Sequence, residues 1–184
     1  EAGIGDGRRW GLHIEYALQR ESLGSGGSLA RLRYSLENTA LILPGDSLLD
    51  LDIRAAWEQH RASGYPMTAV VSACGLTTRQ PIGVGSGGRV ELPGSTANDG
   101  PVLCDTGAYF IEPFLLERIP SDAPFDLHAD LLPALLAEDV PVGAYLHKGC
   151  WNPLETLLEL HTAQKDMLNN GWDCLLYTSD AADE

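Results

Sequence analysis

The chain has 184 residues, 44% of them apolar, which is enough for one domain with a buried core and short for two. Its formal net charge of −14 argues against a nucleic-acid partner, because proteins that bind phosphate backbones normally present a basic surface. Every apolar run is far shorter than a bilayer-spanning helix requires, so we expect no membrane partner.

The N-terminal third predicts two strands separated by a glycine-rich break. Residues 10–18 alternate apolar and polar side chains, which is the period of a half-buried strand ending near Gln19. The glycines and serines of residues 24–28 then break the chain, and the spacing of apolar residues over 29–36 predicts a helix. Residues 40–43 form a short apolar run, which predicts a buried parallel strand leading into a Pro-Gly-Asp turn.

The rest of the chain alternates strand and helix patterns. A helix is predicted from a cap at Asp50 or Asp52 to Gly64, because apolar residues recur there at helical spacing. The further predicted elements, in chain order, are a strand over 67–73, a hairpin over 81–92, a strand over 103–111, helices over 113–119 and 126–138, a strand over 142–147 and a helix over 154–168. This order predicts an α/β fold with a mainly parallel sheet, whose ligand site lies outside the carboxyl ends of the strands.

Asp46 is the first candidate for chemistry, because it follows a predicted buried strand beside a glycine that leaves room for phosphate or metal. Mg²⁺ prefers one or two such carboxylates together with substrate phosphates. Capping of a turn or helix by Asp46 explains the same position equally well. Asp50 and Asp52 have the D-x-D form that holds a metal in many glycosyltransferases, although capping of a helix start explains them better.

The glycine-rich segments offer two further candidates. Residues 24–28, between a predicted strand and helix, could let a base or phosphate approach the backbone, with mere flexibility as the alternative explanation. Gly83, Gly85 and Gly88 spell G-x-G-x-x-G, but an extended segment follows where a dinucleotide site needs a helix. This second match is discarded.

The cysteines and histidines predict neither a disulfide framework nor a metal site. The four cysteines form no C-x-x-C pair, and the five histidines have no metal-binding spacing. We therefore expect a reduced, cytoplasmic compartment.

Together these segments resemble the sugar-phosphate nucleotidyltransferase family, also called nucleotide-sugar pyrophosphorylases. The family's order of strand, glycine-rich loop, helix and strand ending in Gly-Asp is similar to residues 14–16, 19, 23–29 and 41–47. Residues 105–113 resemble its Asn-Ala/Thr-Gly-x-Tyr strand, and residues 125–133 resemble a segment that precedes a helix. The resemblance covers about residues 5–170 and implies a nucleotide-diphospho-sugar transferase fold, Rossmann-like with a mixed, mainly parallel sheet flanked by helices.

The resemblance also implies a magnesium-dependent reaction. An oxygen of a sugar-1-phosphate would attack the α-phosphorus of a nucleoside triphosphate, giving an NDP-sugar and pyrophosphate. By the same resemblance, Asp46 is the catalytic residue and holds the Mg²⁺. The other implied contacts are to the nucleotide from Gln19, Gly24 and Ser25, and to the sugar phosphate from Gly83, Glu91 and Asp105.

Three positions depart from the family's pattern. Leu92 replaces the lysine of its Glu-Lys-Pro, so that cation is missing unless Lys148 or an arginine supplies it. Asp105 stands where Asn is usual, and Pro153 occupies the position of the second metal carboxylate. These departures favour, as an alternative, a catalytically silent regulatory subunit that binds nucleotide sugar. A metal-dependent glycosyltransferase is a second alternative.

Two further expectations concern the two ends of the chain. The resemblance places the family's glycine-rich phosphate loop and early lysine before residue 1, so residues 1–173 are expected to be a partial nucleotidyltransferase domain, inactive alone. Residues 174–184 match a translated transposase adaptor of sequencing libraries, which indicates a non-native tail on a metagenomic fragment, with a polar native tail as the alternative. The expected partners are a nucleoside triphosphate and a sugar-1-phosphate, and a homo-oligomer is allowed.

Overall fold

The computed structural model describes residues 4–19, 21–73, 81–91 and 103–170. The α-helices are α1 (Gly24–Ala30), α2 (Ile53–Ser63), α3 (Leu132–Ala137) and α4 (Leu157–Asn170), with 3-10 turns at Arg8–Trp10 and Pro113–Arg118 and a π-helical turn at Leu127–Leu131. The strands are β1 (Ala40–Ile42), β2 (Leu48–Leu49), β3 (Met67–Ala73), β4 (Pro81–Val84), β5 (Val90–Glu91), β6 (Leu103–Ile111), β7 (Val142–Leu146) and β8 (Trp151–Asn152). Leu92 and residues 174–184, on which two expectations rest, lie outside the described residues.

β6 is the centre of a six-stranded mixed sheet, which confirms the α/β class. β3 pairs antiparallel along one edge of β6, and β7 pairs parallel with β3 on its far side. The other edge of β6 has two partners, both antiparallel: β4 pairs with residues 103–104 and β1 with residues 109–111. Residues 105–108 pair with neither, and this interval of β6 contributes to the candidate site described below.

The expected parallel direction of residues 40–43 is wrong, because β1 runs antiparallel to β6 with Ala40 opposite Ile111. β1 is three residues long and half-buried, so its apolar pattern specifies a strand but not a direction. Among the described strands, β3 and β7 pair parallel, and the other five strand pairs are antiparallel.

The core forms where β3 and β6 lie between helical segments. Met67–Ala73 is buried at six successive positions, because both faces of the strand are covered, and the sequence is accordingly a continuous apolar run. Side chains from the turns after β6 fill the space beside the sheet, including Leu115, Leu116, Ile119, Leu127, Leu131 and Leu135. Burial of each such leucine or isoleucine stabilises the fold by roughly 1.5–3 kcal/mol.

α2 has the boundaries that its end signals predict. The carboxylate of Asp52 accepts a hydrogen bond from the backbone N–H of Ala55 at 2.9 Å, which caps the first turn. The helix ends at Gly64, whose φ of 65° is readily adopted by glycine. The prediction of a helix capped at Asp50 or Asp52 is confirmed, with Asp52 as the cap.

The predicted strand over residues 10–18 is wrong. The segment follows a 3-10 turn and has no regular structure, and none of the described strands pairs with it. Leu12 and Leu18 are 59% and 83% exposed, so the alternating side chains do not pack on a core. Alternation describes which faces a strand would present, but a strand also needs a neighbour for its backbone hydrogen bonds.

The helix predicted over residues 29–36 lies earlier, at Gly24–Ala30. Its first turn has no side-chain cap. Instead the carbonyl oxygen of Phe125 accepts hydrogen bonds from the N–H groups of Gly26 and Gly27 at 2.9 and 3.1 Å. This long-range cap satisfies donors at the helix start and fixes the glycine segment as helix, contrary to the expected break.

The later helices form as predicted in outline and differ in detail. The 113–119 helix is a 3-10 turn, and the 126–138 helix is a π-helical turn continued by α3. Pro133 lies in the first turn of α3, where the missing N–H is tolerated. α4 begins at Leu157 rather than at residue 154, because Thr156 and Glu159 cap its first turn.

Cys104 on β6 is disulfide-bonded, which corrects the expectation of fully reduced cysteines. Cys150 is a free thiol, and Cys74 and Cys174 lie outside the described residues. Within the described ranges, no helix combines the length and apolar character that crossing a membrane needs.

Candidate active site

A cavity of about 700 Å³ lies between α1, the loop after β1, β6 and the π-helical turn. It brings together three residues proposed from the sequence, Ser25, Asp46 and Asp105, and adds His128 and Glu155. The lining residues run from Ser25 to Glu155 and are thus up to 130 positions apart in sequence (155 − 25). Asp105 and Gly107 of the lining belong to the interval of β6 that β1 and β4 leave unpaired.

A bulge in β6 shapes the wall of this cavity. The register between β3 and β6 shifts where residues 105–109 face residues 69–71. Gly107, at the bulge, has a φ of 81°, and its N–H donates to Asp105 Oδ1 at 2.9 Å. Thr106 Oγ1 donates to the carbonyl of Val70 at 2.8 Å, which fixes the bulged strand to β3. The Asp-Thr-Gly sequence therefore has a backbone role as well as a place in the site.

Asp105 is 4% exposed and holds a cluster of polar side chains. Its Oδ2 lies 2.7 Å from His128 Nδ1 and also accepts a hydrogen bond from the Tyr109 hydroxyl. A buried carboxylate needs such partners, because burying an unpaired charge is costly. The resemblance implies a role for Asp105 but none for His128 or Tyr109. His128 is 23 positions away in sequence, so no local pattern marks its pairing with Asp105.

Ser25 and Asp126 join α1 to the π-helical turn. Ser25 Oγ donates to Asp126 Oδ2 at 2.8 Å and accepts the N–H of Leu127 at 2.9 Å. Asp126 Oδ1 accepts the N–H groups of His128 and Ala129 at 2.9 and 2.8 Å. Burial acts to raise the pKa of Asp126, but the hydrogen bonds from Ala129, Ser25 and His128 together lower it below its ordinary value.

The β2–β8 ribbon brings Asp46 and Glu155 to one cavity. Leu48 pairs with Asn152, so the residues before β2 and after β8 lie at the same end of the ribbon. Both carboxylates are exposed and line the cavity.

The start of α4 holds the Glu155 segment in place. Thr156 and Glu159 form a reciprocal cap: Glu159 N–H donates to Thr156 Oγ1 at 3.1 Å, and Glu159 Oε2 accepts Thr156 N–H at 2.8 Å. The same Oε2 accepts the N–H of Glu155 at 2.9 Å. The Thr-x-x-Glu spacing was readable in the sequence as the start of a helix.

The donor set at this end of the cavity is that of a hard cation. Within the described residues, no group of three or more His, Cys, Asp and Glu side chains is arranged to hold a metal by itself. Mg²⁺ does not require one, because it keeps several waters and binds through one or two carboxylates together with substrate phosphates. Asp46 and Glu155 fit that requirement. Pro153, at the expected second-ligand position, is buried and has no side-chain oxygen.

The two other nucleotide candidates lie beside the cavity rather than among its lining residues. Gln19 Oε1 accepts a hydrogen bond from Ser28 Oγ at 2.6 Å, and the buried Nε2 has no partner among the described residues. A Cβ on Gly24 would lie 2.6 Å from the carbonyl oxygen of Phe125, and its φ is 76°. The close approach of the Phe125 carbonyl thus explains why residue 24 is glycine. The proposed contact of Gly24 with a base stays a prediction.

Gly83 and Glu91 lie elsewhere. They face each other across the β4–β5 hairpin, which confirms the predicted hairpin, and neither lines the cavity. Their proposed contact with a sugar phosphate stays a prediction.

The D-x-D pair is divided between two structural roles. Asp52 caps α2, while Asp50 Oδ1 lies 2.9 Å from Nε2 of buried His147. Asp50 and Asp52 are not among the residues lining the 700 Å³ cavity. The helix-capping interpretation therefore accounts for Asp52, and a glycosyltransferase-type metal pair has no support here.

A second cavity of about 880 Å³ lies at the opposite end of β1 and β3, between α2 and the turn after β6. Its wall includes Trp57, Glu112 and the buried His60, which stacks on Phe110 with ring centroids 5.4 Å apart. Burial lowers the pKa of His60 more than the neighbouring Glu112 carboxylate raises it. His60 Nδ1 bonds to Thr68 Oγ1 at 2.7 Å, so this histidine belongs to the core.

Comparison with known proteins agrees with this architecture. The chain is 29% identical over 164 residues to mannose-1-phosphate guanylyltransferase of Mycobacterium tuberculosis, covering 85% of this chain and 45% of that protein. It is 29% identical over 168 residues to UTP–glucose-1-phosphate uridylyltransferase of a Synechocystis species, covering 77% and 41%. The chain thus spans less than half the length of these curated relatives.

Solved structures share the fold. HddC from Yersinia pseudotuberculosis superimposes with a TM-score of 0.70 at 16% identity, covering 85% of this chain and 68% of that one. The sequence model of the family described as nucleotidyl transferase matches residues 1–170. The chain belongs to the nucleotidyl transferase family.

Proposed function

We propose that the complete protein transfers a nucleotidyl group from a nucleoside triphosphate to a sugar-1-phosphate. An oxygen of the sugar phosphate attacks the α-phosphorus, the bond from that phosphorus to the bridging oxygen breaks, and pyrophosphate leaves. The products are an NDP-sugar and pyrophosphate. Family membership supports the reaction class, and the named activities of the curated relatives support sugar-1-phosphates as acceptors.

The observation that carries the proposal is that Asp46 and Glu155, at the same end of the β2–β8 ribbon, line one cavity. Bound there, Mg²⁺ would neutralise the charge of the phosphates. Asp46 is the proposed catalytic residue and metal ligand, with Glu155 as the second carboxylate in place of Pro153. The exposure of both side chains lets them reach a substrate-bound cation.

The remaining assignments follow the resemblance. Gln19, Gly24 and Ser25 are proposed to bind the nucleotide, and Gly83, Glu91 and Asp105 the sugar phosphate. Of these, Ser25 and Asp105 have the direct support of lining the cavity. We propose a cytoplasmic location, as for a biosynthetic enzyme whose substrates are nucleotides, and allow a homo-oligomer.

Pro153 favours a second candidate, a regulatory subunit that binds nucleotide sugar without turnover. It is buried where the resemblance calls for a metal-binding carboxylate. Pyrophosphate release decides between the two, measured on the chain extended at its N-terminus by the glycine-rich phosphate loop and lysine that the resemblance implies, here called the upstream segment. We expect release with mannose-1-phosphate or glucose-1-phosphate and one of the nucleoside triphosphates, and none with the unphosphorylated sugars. Binding of nucleotide sugar without pyrophosphate release under any of these conditions would establish the regulatory candidate.

A further inference from the structure

The 700 Å³ cavity has an unbalanced set of charges for a site that accepts a phosphorylated sugar. Four carboxylates line it, those of Asp46, Asp105, Asp126 and Glu155. Among the described residues of its wall, none is Lys or Arg, and His128 is the side chain that can carry a positive charge. An anionic substrate therefore meets like charges unless some are compensated.

The four carboxylates have three different means of compensation. Asp46 and Glu155 are exposed and suited to a cation that arrives with the substrate. Asp126 accepts two backbone N–H groups and the Ser25 hydroxyl. Asp105 is buried in the wall, where a charge is poorly screened, and the neighbouring side chain that can become positive is the imidazole of His128.

His128 is held by hydrogen bonds at its backbone and at its ring. Its backbone N–H is bound by Asp126, which fixes the first turn of the π helix. Its ring nitrogen Nδ1 then lies 2.7 Å from Asp105 Oδ2, while the side chain is 22% exposed on the cavity wall. The imidazole is thus paired with the buried carboxylate, and both side chains belong to residues that line the cavity.

We propose that His128 is a positioning residue for the sugar phosphate, acting through Asp105. In its protonated form, the imidazole that pairs with Asp105 at 2.7 Å offsets the charge of the buried carboxylate, so that the cavity accepts the phosphate group of a sugar-1-phosphate. This inference rests on the proposed function for the identity of the ligand. It predicts that removing the charge of His128 weakens sugar-phosphate binding only while Asp105 is charged.

A double-mutant cycle separates this role from a structural one. His128→Gln keeps a side-chain hydrogen-bond donor for Asp105 and removes the positive charge. Asp105→Asn removes the negative charge while keeping the shape. His13→Gln is the matched control, because His13 also pairs with a carboxylate, Glu15 at 3.1 Å, but is exposed and does not line the cavity.

The measurements are calorimetric binding of mannose-1-phosphate and glucose-1-phosphate, together with KM and kcat, on the protein that includes the upstream segment. We expect His128→Gln to weaken sugar-phosphate binding and raise its KM at least about tenfold, with kcat changed less than about threefold. The double variant His128→Gln, Asp105→Asn should recover most of the affinity. His13→Gln should match the wild type.

Unchanged binding in His128→Gln, or no recovery in the double variant, would overturn the inference. Failure of the wild type to bind either sugar phosphate would also overturn it. If the wild type binds sugar phosphate with this dependence on His128 and Asp105 but releases no pyrophosphate, the inference stands and the proposed reaction is wrong.

Discussion

Leu48 on β2 pairs with Asn152 on β8, and this register brings together two chain segments that carry the acidic groups of the site. Asp46 precedes β2 and Glu155 follows β8, and both line the same cavity. The 108 residues between them, 47–154, include most of the sheet, so the ribbon depends on the whole fold. Substitution of these two carboxylates is therefore the most direct test of the proposed metal site.

Asp46→Asn should lower magnesium-dependent pyrophosphate release by at least about tenfold, equivalent to ~1.4 kcal/mol of barrier. The change removes a charged metal ligand and keeps the side-chain shape. Asp52→Asn is the control, because asparagine caps a helix as well as aspartate does and Asp52 caps α2. An unchanged rate with unchanged magnesium dependence in Asp46→Asn would remove this residue from the metal site.

Glu155→Gln should raise the magnesium concentration needed for half-maximal activity, because one of two carboxylates is then lost. Titration of pyrophosphate release with magnesium measures the effect. Glu117→Gln, at an exposed position away from the cavity, serves as the control. If the titration of Glu155→Gln overlays that of the wild type, Asp46 and the substrate phosphates act without Glu155.

Ser25→Ala should lower the free energy of unfolding by about 1–3 kcal/mol. The hydroxyl joins α1 to the π-helical turn through Asp126 and the N–H of buried Leu127, and alanine leaves that N–H unsatisfied. Urea denaturation of the 184-residue chain measures the change. Ser35→Ala, in an exposed turn, is the control, and equal stabilities of the two variants would contradict the joining role.

His60 should make stability fall in mild acid. Burial keeps its pKa in the folded chain below the ordinary imidazole value of about 6.5, so the unfolded chain takes up the proton first as pH falls. The contribution of neutral His60 to the free energy of unfolding is fully present above about pH 6.5. It is lost as the pH falls through the lowered pKa of His60 in the folded chain. His60→Gln should flatten the slope of unfolding free energy against pH between about 7 and 5.5, whereas His13→Gln should not. A slope unaffected by His60→Gln would show that other groups cause it.

Much of the fold could be predicted because its signals are local. The run of β3, the Asp52 cap and Gly64 stop of α2, and the glycine-punctuated hairpin each depend on a few neighbouring residues. The strand over residues 10–18 was wrong because strand formation needs a partner that alternation cannot specify. The direction of β1 was wrong for a similar reason, since it is set by β6.

The site was predictable in part. Asp46 was proposed because an acidic residue after an apolar strand is a local pattern, and Asp105 and Ser25 came from the resemblance. All three line the cavity, and their roles stay predictions. The pairing of Asp105 with His128, and the cap that Phe125 provides for α1, join segments that are distant in sequence. No single-sequence pattern marks such contacts, because they arise from the bulge at Gly107 and the path of the chain after β6.

The most direct test of nucleotidyl transfer follows both products by ³¹P NMR. The protein with its upstream segment is mixed with magnesium, each nucleoside triphosphate, and mannose-1-phosphate or glucose-1-phosphate. We predict equal amounts of NDP-sugar and pyrophosphate from one combination, with formation of both lowered together in Asp46→Asn. Release of inorganic phosphate with no NDP-sugar, or no change in any phosphorus signal although nucleotide sugar binds, would contradict the proposed reaction.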